Sequence, residues 1–299
     1  MTSLRAFGIR PRHFDRYRPY RPLPDERLSP LIIDALRGLS HQPGAADPGT
    51  PNRQPDPGDP GNPNHQRQPS DSGHPNRPSD PDPLRVVNGP FRGMAYAPIS
   101  WGAALGPKLL GSYEEPIHGW VEMAVETGYS TIVNIGCAEG YYATGFALRC
   151  PATRVIGFDT HEPAIADARR IAALNGAAVE FRAERCTPHS LETLLSTDRA
   201  AALLFVDIEG GELELLDPVA CPALTRTDMI VEAHDCFIPG ITDALIKRFR
   251  NTHAISIHID TPFRWTDYSG SGALSRAQVA RLTNESRPEG MSWIRLLAP

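Results

Sequence analysis

The chain has 299 residues, 40% of them hydrophobic and 22% charged, with a formal net charge of −5, which is ordinary for a globular protein. No stretch approaches the roughly 18 apolar residues of a membrane span, and no apolar run follows the first arginines as a signal peptide would require. The five cysteines (Cys137, Cys150, Cys186, Cys221 and Cys236) form no CxxC pair. That argues against a disulfide framework or a structural zinc site, so a soluble cytoplasmic protein is expected.

Residues 1–40 set eight Arg against four acids and interleave them with Phe7, Phe14, Tyr17 and Tyr20, ahead of a short apolar run around Leu31, Ile32, Leu36 and Leu39. This reads as a poorly ordered arm with a helical turn or two, the alternative being a docking arm for a protein partner or an acidic surface. Thirteen of the 30 prolines fall between 41 and 90. Residues 41–85 have almost no apolar side chain to offset the entropy of ordering the backbone, which predicts a disordered linker. These segments carry +4 and −2, so residues 86–299 carry −7. Such acidity suits a phosphate backbone poorly and excludes nucleic acid as the favoured partner. Residues 86–299 are long enough to bury the core of one α/β domain.

From residue 86 the pattern changes. VVNGPFRGMAYAP reads as a hairpin or an irregular lead-in, and a helix is predicted over 113–127 with Ile117, Trp120, Val121 and Ala124 on one face. Short apolar runs follow at Thr131–Ile135, Arg154–Phe158, Val179–Arg182, Ala202–Asp207, Met229–Ala233, Ala254–Ile259 and Ser292–Leu297. Helices fit between them at about 140–149, 162–174, 190–196, 210–217, 240–250 and 275–283. Continuous apolar strands alternating with helices imply a mostly parallel sheet covered on both faces. Seven strands, the last arriving after a long connection, predict a Rossmann-like α/β fold with one antiparallel strand.

Two strand ends carry the chemistry. Thr131-Ile-Val-Asn134-Ile-Gly136-Cys-Ala138-Glu-Gly140 is a strand running into a small-residue turn and then a helix. Glycines there let backbone approach a ligand, and the helix start offers free N–H groups. Asp159, nineteen residues after Gly140, ends the next strand, where a carboxylate can accept both hydroxyls of a ribose. The spacing is Gly-x-Ala-x-Gly rather than the pyrophosphate-binding pattern, which suits an adenosyl cofactor without phosphate. The competing reading is a tight strand–helix turn with an incidental aspartate.

The second end is Leu203-Leu-Phe-Val-Asp207-Ile-Glu209-Gly-Gly-Glu212-Leu-Glu-Leu-Leu216, followed on the next strand by Ile230-Val-Glu232-Ala-His234-Asp235. With the turn around Gly136, these blocks resemble the FkbM-type methyltransferases over about residues 105–297. The resemblance implies a class I S-adenosylmethionine-dependent methyltransferase fold and O-methylation of a hydroxyl on a small-molecule or sugar-like acceptor. It implies cofactor contacts from Asn134, Gly136, Ala138, Gly140, Asp159, Glu184 and Asp207, with Asp207 and His234 catalytic. Asn134 stands where the family commonly has an acid, and Ile208 replaces its usual Val. The stretch Leu105–Glu114 looks like the lead-in of a branch of such enzymes and is placed at the methionine end of the cofactor.

His234 is the candidate general base, since imidazole titrates near neutrality; its bland alternative is a satisfied strand-end histidine. For Asp207 and Glu209 the bland alternative is helix capping. The favoured reading has no metal. A less favoured variant holds Mg²⁺ between Asp207 and Asp235. The loop Thr261–Gly272, rich in aromatics and glycine, reads as a substrate lid or an ordinary surface loop. Two other classes stay open: an NAD-dependent oxidoreductase on a similar sheet, and a catalytically inactive cofactor-binding subunit.

Overall fold

The computed structural model describes residues 83–197, 201–259, 274–285, 287, 288 and 291–299. The N-terminal arm, the linker up to residue 82 and the Thr261–Gly272 loop lie outside the described residues.

A short antiparallel pair, β1 (Leu84–Arg85) and β2 (Ala95–Tyr96), opens the domain. Next come α1 (Leu105–Leu110), a 3₁₀ turn (Glu115–Ile117) and α2 (His118–Thr127). The alternating part is β3 (Thr131–Ile135), α3 (Tyr141–Arg149), β4 (Arg154–Asp159), α4 (Glu162–Leu174), β5 (Val179–Ala183), α5 (Pro188–Thr197) and β6 (Ala202–Val206). It continues through α6 (Glu212–Leu215), a 3₁₀ turn (Pro222–Arg226), β7 (Asp228–His234), α7 (Ile241–Phe249), β8 (Ala254–Ile259), α8 (Arg276–Leu282) and β9 (Met291–Leu297). Among the described residues no helix is long and apolar enough to cross a membrane.

The main sheet has seven strands in the order β5-β4-β3-β6-β7-β9-β8. All neighbours are parallel except β9, which runs against both β7 and β8. This is the expected fold class: a Rossmann-like, mostly parallel seven-stranded sheet with one reversed strand. The central strands are buried on both faces, and successive side chains pack on opposite sides. Ile132, Leu203, Phe205, Ile230 and Trp293 join one core with Leu109, Val121 and Phe146. Val133, Ile135, Leu204, Val206, Val231 and Ile294 join the other with Leu245 and Phe249.

The helices follow local chemistry. Helix α4 buries Ala164, Ile165, Ala168, Ile171 and Ala172, an i, i+1, i+4, i+7, i+8 stripe. Ser275 and Gln278 form a reciprocal capping box at the start of α8. The helix expected over 113–127 is shorter because Glu114 takes a left-handed conformation (φ 54°) and Pro116 sits in the turn that follows. The helix expected over 210–217 shrinks to Glu212–Leu215, since Gly210 has φ 101° and Pro218 disfavours a helical Asp217.

The topological switch point lies between β3 and β6: from β3 the chain winds outward through β4 and β5, and from β6 through β7. Open α/β sheets form their ligand crevice at such a point, outside the carboxyl ends of the strands. Asn134, Gly136 and Asp159 stand on one side of it, Asp207 and His234 on the other.

Candidate active site

At the end of β3 the turn alternates in handedness, with Gly136, Ala138 and Gly140 at φ 81°, 45° and 82°. Gly136 is required by packing. A Cβ there would stand 1.6 Å from the Asp207 carbonyl oxygen, just past the end of the neighbouring strand β6, while Ile135 O accepts from Asp207 N at 2.9 Å. The turn and the start of the Asp207–Glu212 loop are therefore one seam. Gly140 is likewise tight, its Cα facing Ala168 and Phe181. Close packing within the fold accounts for both glycines.

Asp159 braces this turn. Its Oδ2 accepts from Ala138 N at 2.9 Å and its Oδ1 from His161 N at 2.8 Å. Asn134 Oδ1 is buried without a partner, its amide nitrogen reaching Phe205 O at 3.4 Å. Glu184 follows β5 directly; its side chain is exposed, 4.0 Å from Arg182.

Glu139, fully buried inside the turn, accepts from Tyr96 Oη (2.7 Å), Ser100 Oγ (3.0 Å), Trp101 N (3.0 Å) and Lys108 Nζ (2.5 Å). Trp101 Nε1 donates to Asp167 Oδ2 at 3.0 Å on α4, and the Trp101 and His161 ring centroids lie 4.6 Å apart. The lead-in containing Leu105–Glu114 is thus strapped to the β3 turn. Its far end, Glu114, accepts from Tyr142 and pairs with Arg287.

Across the seam four carboxylates surround one imidazole. His234 Nδ1 bonds Glu212 Oε1 at 2.7 Å, while Nε2 lies 3.5 Å from Asp207 Oδ1, 3.4 Å from Glu209 Oε2 and 3.7 Å from Glu232 Oε2. Phe237 stacks on the ring at 5.5 Å. Arg287 reaches Glu114, Glu232 and, at 2.6 Å, Glu285. His234, Glu212 and Glu232 are buried, whereas Asp207 and Glu209 keep 26% and 38% of their side-chain surface exposed. The cluster opens to solvent at those two. Donor atoms of Asp207, Glu232 and His234 all lie within 4.8 Å of one another, close enough to share a metal ion.

Glu114, Ala138 and Glu209 are the three non-glycine residues with positive φ among the described residues. One is in each loop of this crevice. Backbone outliers of this kind cost of order 1–3 kcal/mol and persist where surrounding structure holds them.

Charge is crowded here. Burial disfavours a charged imidazole, but the Glu212 hydrogen bond and the facing Glu232 and Asp207 carboxylates outweigh it and push His234 up to about 11. Burial lifts Glu232 to about 8 and Glu114 to about 7, although Arg287 opposes both shifts. It also raises Asp207 and Glu209 against the pull of His234. Every shift is upward, so the folded state holds these protons more tightly than the unfolded chain does. Their contribution to stability is present at low pH and is lost as pH rises through the folded values. With a chelator present, the urea midpoint is expected to fall steadily between about pH 6 and about pH 9. A flat or rising midpoint would contradict this assignment of protons.

Of the residues singled out from sequence, the structure brings Asn134, Gly136, Ala138, Gly140 and Asp159 together on one side of the seam, and Asp207 and His234 on the other. Asp235 stands apart from the cluster. Its carboxylate accepts from Gly240 N at 2.8 Å, and from Thr242 N and Oγ1 at 3.2 and 2.5 Å, capping α7. Glu232 occupies the place beside Asp207 instead, because residues two apart on β7 share a face with His234. Nor does Asp207 cap α6: its Oδ1 has no hydrogen-bond partner, and the side chain bonding within that loop is Glu212, accepting from Gly210 N at 3.0 Å. Sequence reasoning missed Glu232, Glu212, Glu114 and Arg287 as members of the site. Two polar residues two apart in the apolar run Ile230–His234 were the available signal for Glu232; Arg287 had none.

No family model matches the chain, and no curated protein does. Among solved structures, an rRNA methylase from Streptococcus thermophilus is 14% identical, the match covering 61% of this chain and 96% of that one with a TM-score of 0.39. A methyltransferase from Geobacter sulfurreducens is 16% identical over 60% and 76% of the two chains, TM-score 0.38. The O-methyltransferase TomG from Streptomyces achromogenes, involved in tomaymycin synthesis and solved in complex with SAM, is 14% identical over 60% and 78%, TM-score 0.39.

Proposed function

We propose that this chain is an S-adenosylmethionine-dependent methyltransferase that methylates a hydroxyl of a small-molecule or sugar-like acceptor. One observation carries the reading. At the switch point of the sheet, the turn that would hold an adenosyl cofactor is pressed directly against the end of β6, where Asp207 stands beside His234 at the end of β7. A cofactor on one side of that seam meets an acceptor on the other.

The residues present suit the cofactor. Asp159 is a carboxylate at the tip of β4, where ribose hydroxyls would lie, and Glu184 flanks the tip of β5. Asn134 Oδ1 is an unused buried acceptor on the strand feeding the turn, fit to receive a hydrogen bond from the methionine portion. When bound, the cofactor supplies an electrophilic sulfonium methyl. Asp207 and Glu209, the exposed members of the cluster, are placed to hold and orient the acceptor hydroxyl. Orienting two reactants well is worth about 7–11 kcal/mol of barrier, so positioning does most of the work. His234 acts from behind this rim, its ring fixed by Glu212.

Titration calorimetry on the full chain tests the reading. S-adenosylhomocysteine is expected to bind and NAD is not. Asp159→Ala should weaken S-adenosylhomocysteine about 100-fold, because hydrogen bonds to a charged group contribute roughly 1.5–3 kcal/mol each. His234→Ala should lower methyl transfer while leaving that affinity nearly unchanged. No measurable affinity for S-adenosylmethionine or its demethylated product would end the proposal.

A further inference from the structure

His234 Nε2 is a buried polar atom with no hydrogen-bond partner. Its ring is 1% exposed, and Nδ1 lies 2.7 Å from a Glu212 carboxylate oxygen that, when ionised, only accepts. Nδ1 therefore keeps a hydrogen in either state of the ring, and Nε2, once a metal displaces the proton it otherwise holds, presents a lone pair. That lone pair faces oxygens of Glu209, Asp207 and Glu232 at 3.4, 3.5 and 3.7 Å. These separations are too long for a proton on Nε2 to make a good hydrogen bond. Asp207 Oδ1, one of the facing oxygens, also lacks a partner. Electron-rich atoms converging across such gaps call for a positive centre between them.

We infer that Asp207, Glu232 and His234 bind a divalent first-row transition cation. With ligand bonds of about 2.1 Å, the spacings from Nε2 to Asp207 and Glu232 subtend angles of about 110–125° at an ion, close to tetrahedral or trigonal. The donors are one imidazole and two carboxylates; imidazole favours transition ions, and carboxylate also accepts Mn²⁺. The outer partners are in place. Glu212 holds Nδ1 in the carboxylate–histidine–metal arrangement that fixes the tautomer, and Arg287 holds the other oxygen of Glu232. Glu209 stands at the mouth, leaving the exposed side for an acceptor hydroxyl, which a bound cation would make more acidic. The site rests on the methyltransferase reading only for that use of the ion; cation binding stands on the donor atoms themselves.

The test uses the full chain, stripped with EDTA and titrated with Mn²⁺ alone, following the free-ion signal by electron paramagnetic resonance. One saturable site per chain is expected. Asp207→Asn, at the exposed rim, should weaken it at least about 10-fold, and Glu212→Gln, which touches no ion, should weaken it about 10- to 100-fold by releasing the ring. Circular dichroism on each variant separates loss of a ligand from loss of the fold. No saturable Mn²⁺ binding, or equal affinity in folded wild type and both folded variants, overturns the site. S-adenosylhomocysteine is titrated separately without metal. Affinity for it without Mn²⁺ binding would remove the cation site and leave the methyltransferase reading, and the reverse would remove that reading and leave the site.

Discussion

Gly136→Ala is expected to deprive the chain of a stable native sheet. The added Cβ would stand 1.6 Å from the Asp207 carbonyl oxygen, and the backbone is at φ 81°. Left-handed backbone costs a residue with a Cβ roughly 1–2 kcal/mol. Overpacking adds about 1–3 kcal/mol where neighbours can yield, and more where they cannot. Here the neighbour is backbone just past the end of a central strand, held by the Asp207 N to Ile135 O hydrogen bond. No rotamer can relieve the clash, so β3 and β6 must part at their carboxyl ends. A domain stable by about 5–15 kcal/mol loses most of that margin. The control is Gly102→Ala, at φ 73° with nothing within 4 Å of the new Cβ, which should cost only the conformational part. Urea unfolding followed by circular dichroism compares the two. An unfolding free energy for Gly136→Ala within about 1 kcal/mol of wild type would refute the packing account.

Lys108→Met is the second large effect. Lys108 and Glu139 are 3% and 0% exposed, with Nζ 2.5 Å from Oε1. Removing the ammonium strands a carboxylate inside the β3 turn, and breaking a buried pair costs about 3–5 kcal/mol. Tyr96, Ser100 and Trp101 N still donate to Glu139, which places the expected loss near the lower end. Adding Glu139→Gln removes the stranded charge and should restore part of the stability. A double variant no more stable than Lys108→Met would show that the ion pair is not what holds the lead-in on the turn.

Sequence pattern carried most of the fold because the strands here announce themselves. Thr131–Ile135, Ala254–Ile259 and the Glu162–Leu174 helix fall where periodicity placed them. Helix α1 escaped because Gly106 and Pro107 weaken the helical signal of Leu105–Leu110, although Pro is tolerated in a first turn. The site was legible strand by strand but not across strands. Asp207 and His234 stood out as polar strand ends, yet the choice between Glu232 and Asp235 depends on which face of β7 each takes, and Asp235 had already left the strand to cap α7. Arg287 reaches Glu232 from 55 positions away, and no local period reports such a contact. Glycine chemistry was the subtler difference: Gly136 looked like room for a ligand, and the structure fills that room with the carbonyl of Asp207.

That contact also limits how the crevice can move. Two loops that touch backbone to backbone have no slack, so neither can swing outward alone to admit a guest. Among the described residues, the histidine cluster opens to solvent at the rim formed by Asp207 and Glu209, whose partly exposed carboxylates form the threshold. Bulky replacements at Glu209 would therefore slow arrival and departure alike, in addition to removing the carboxylate that orients the acceptor.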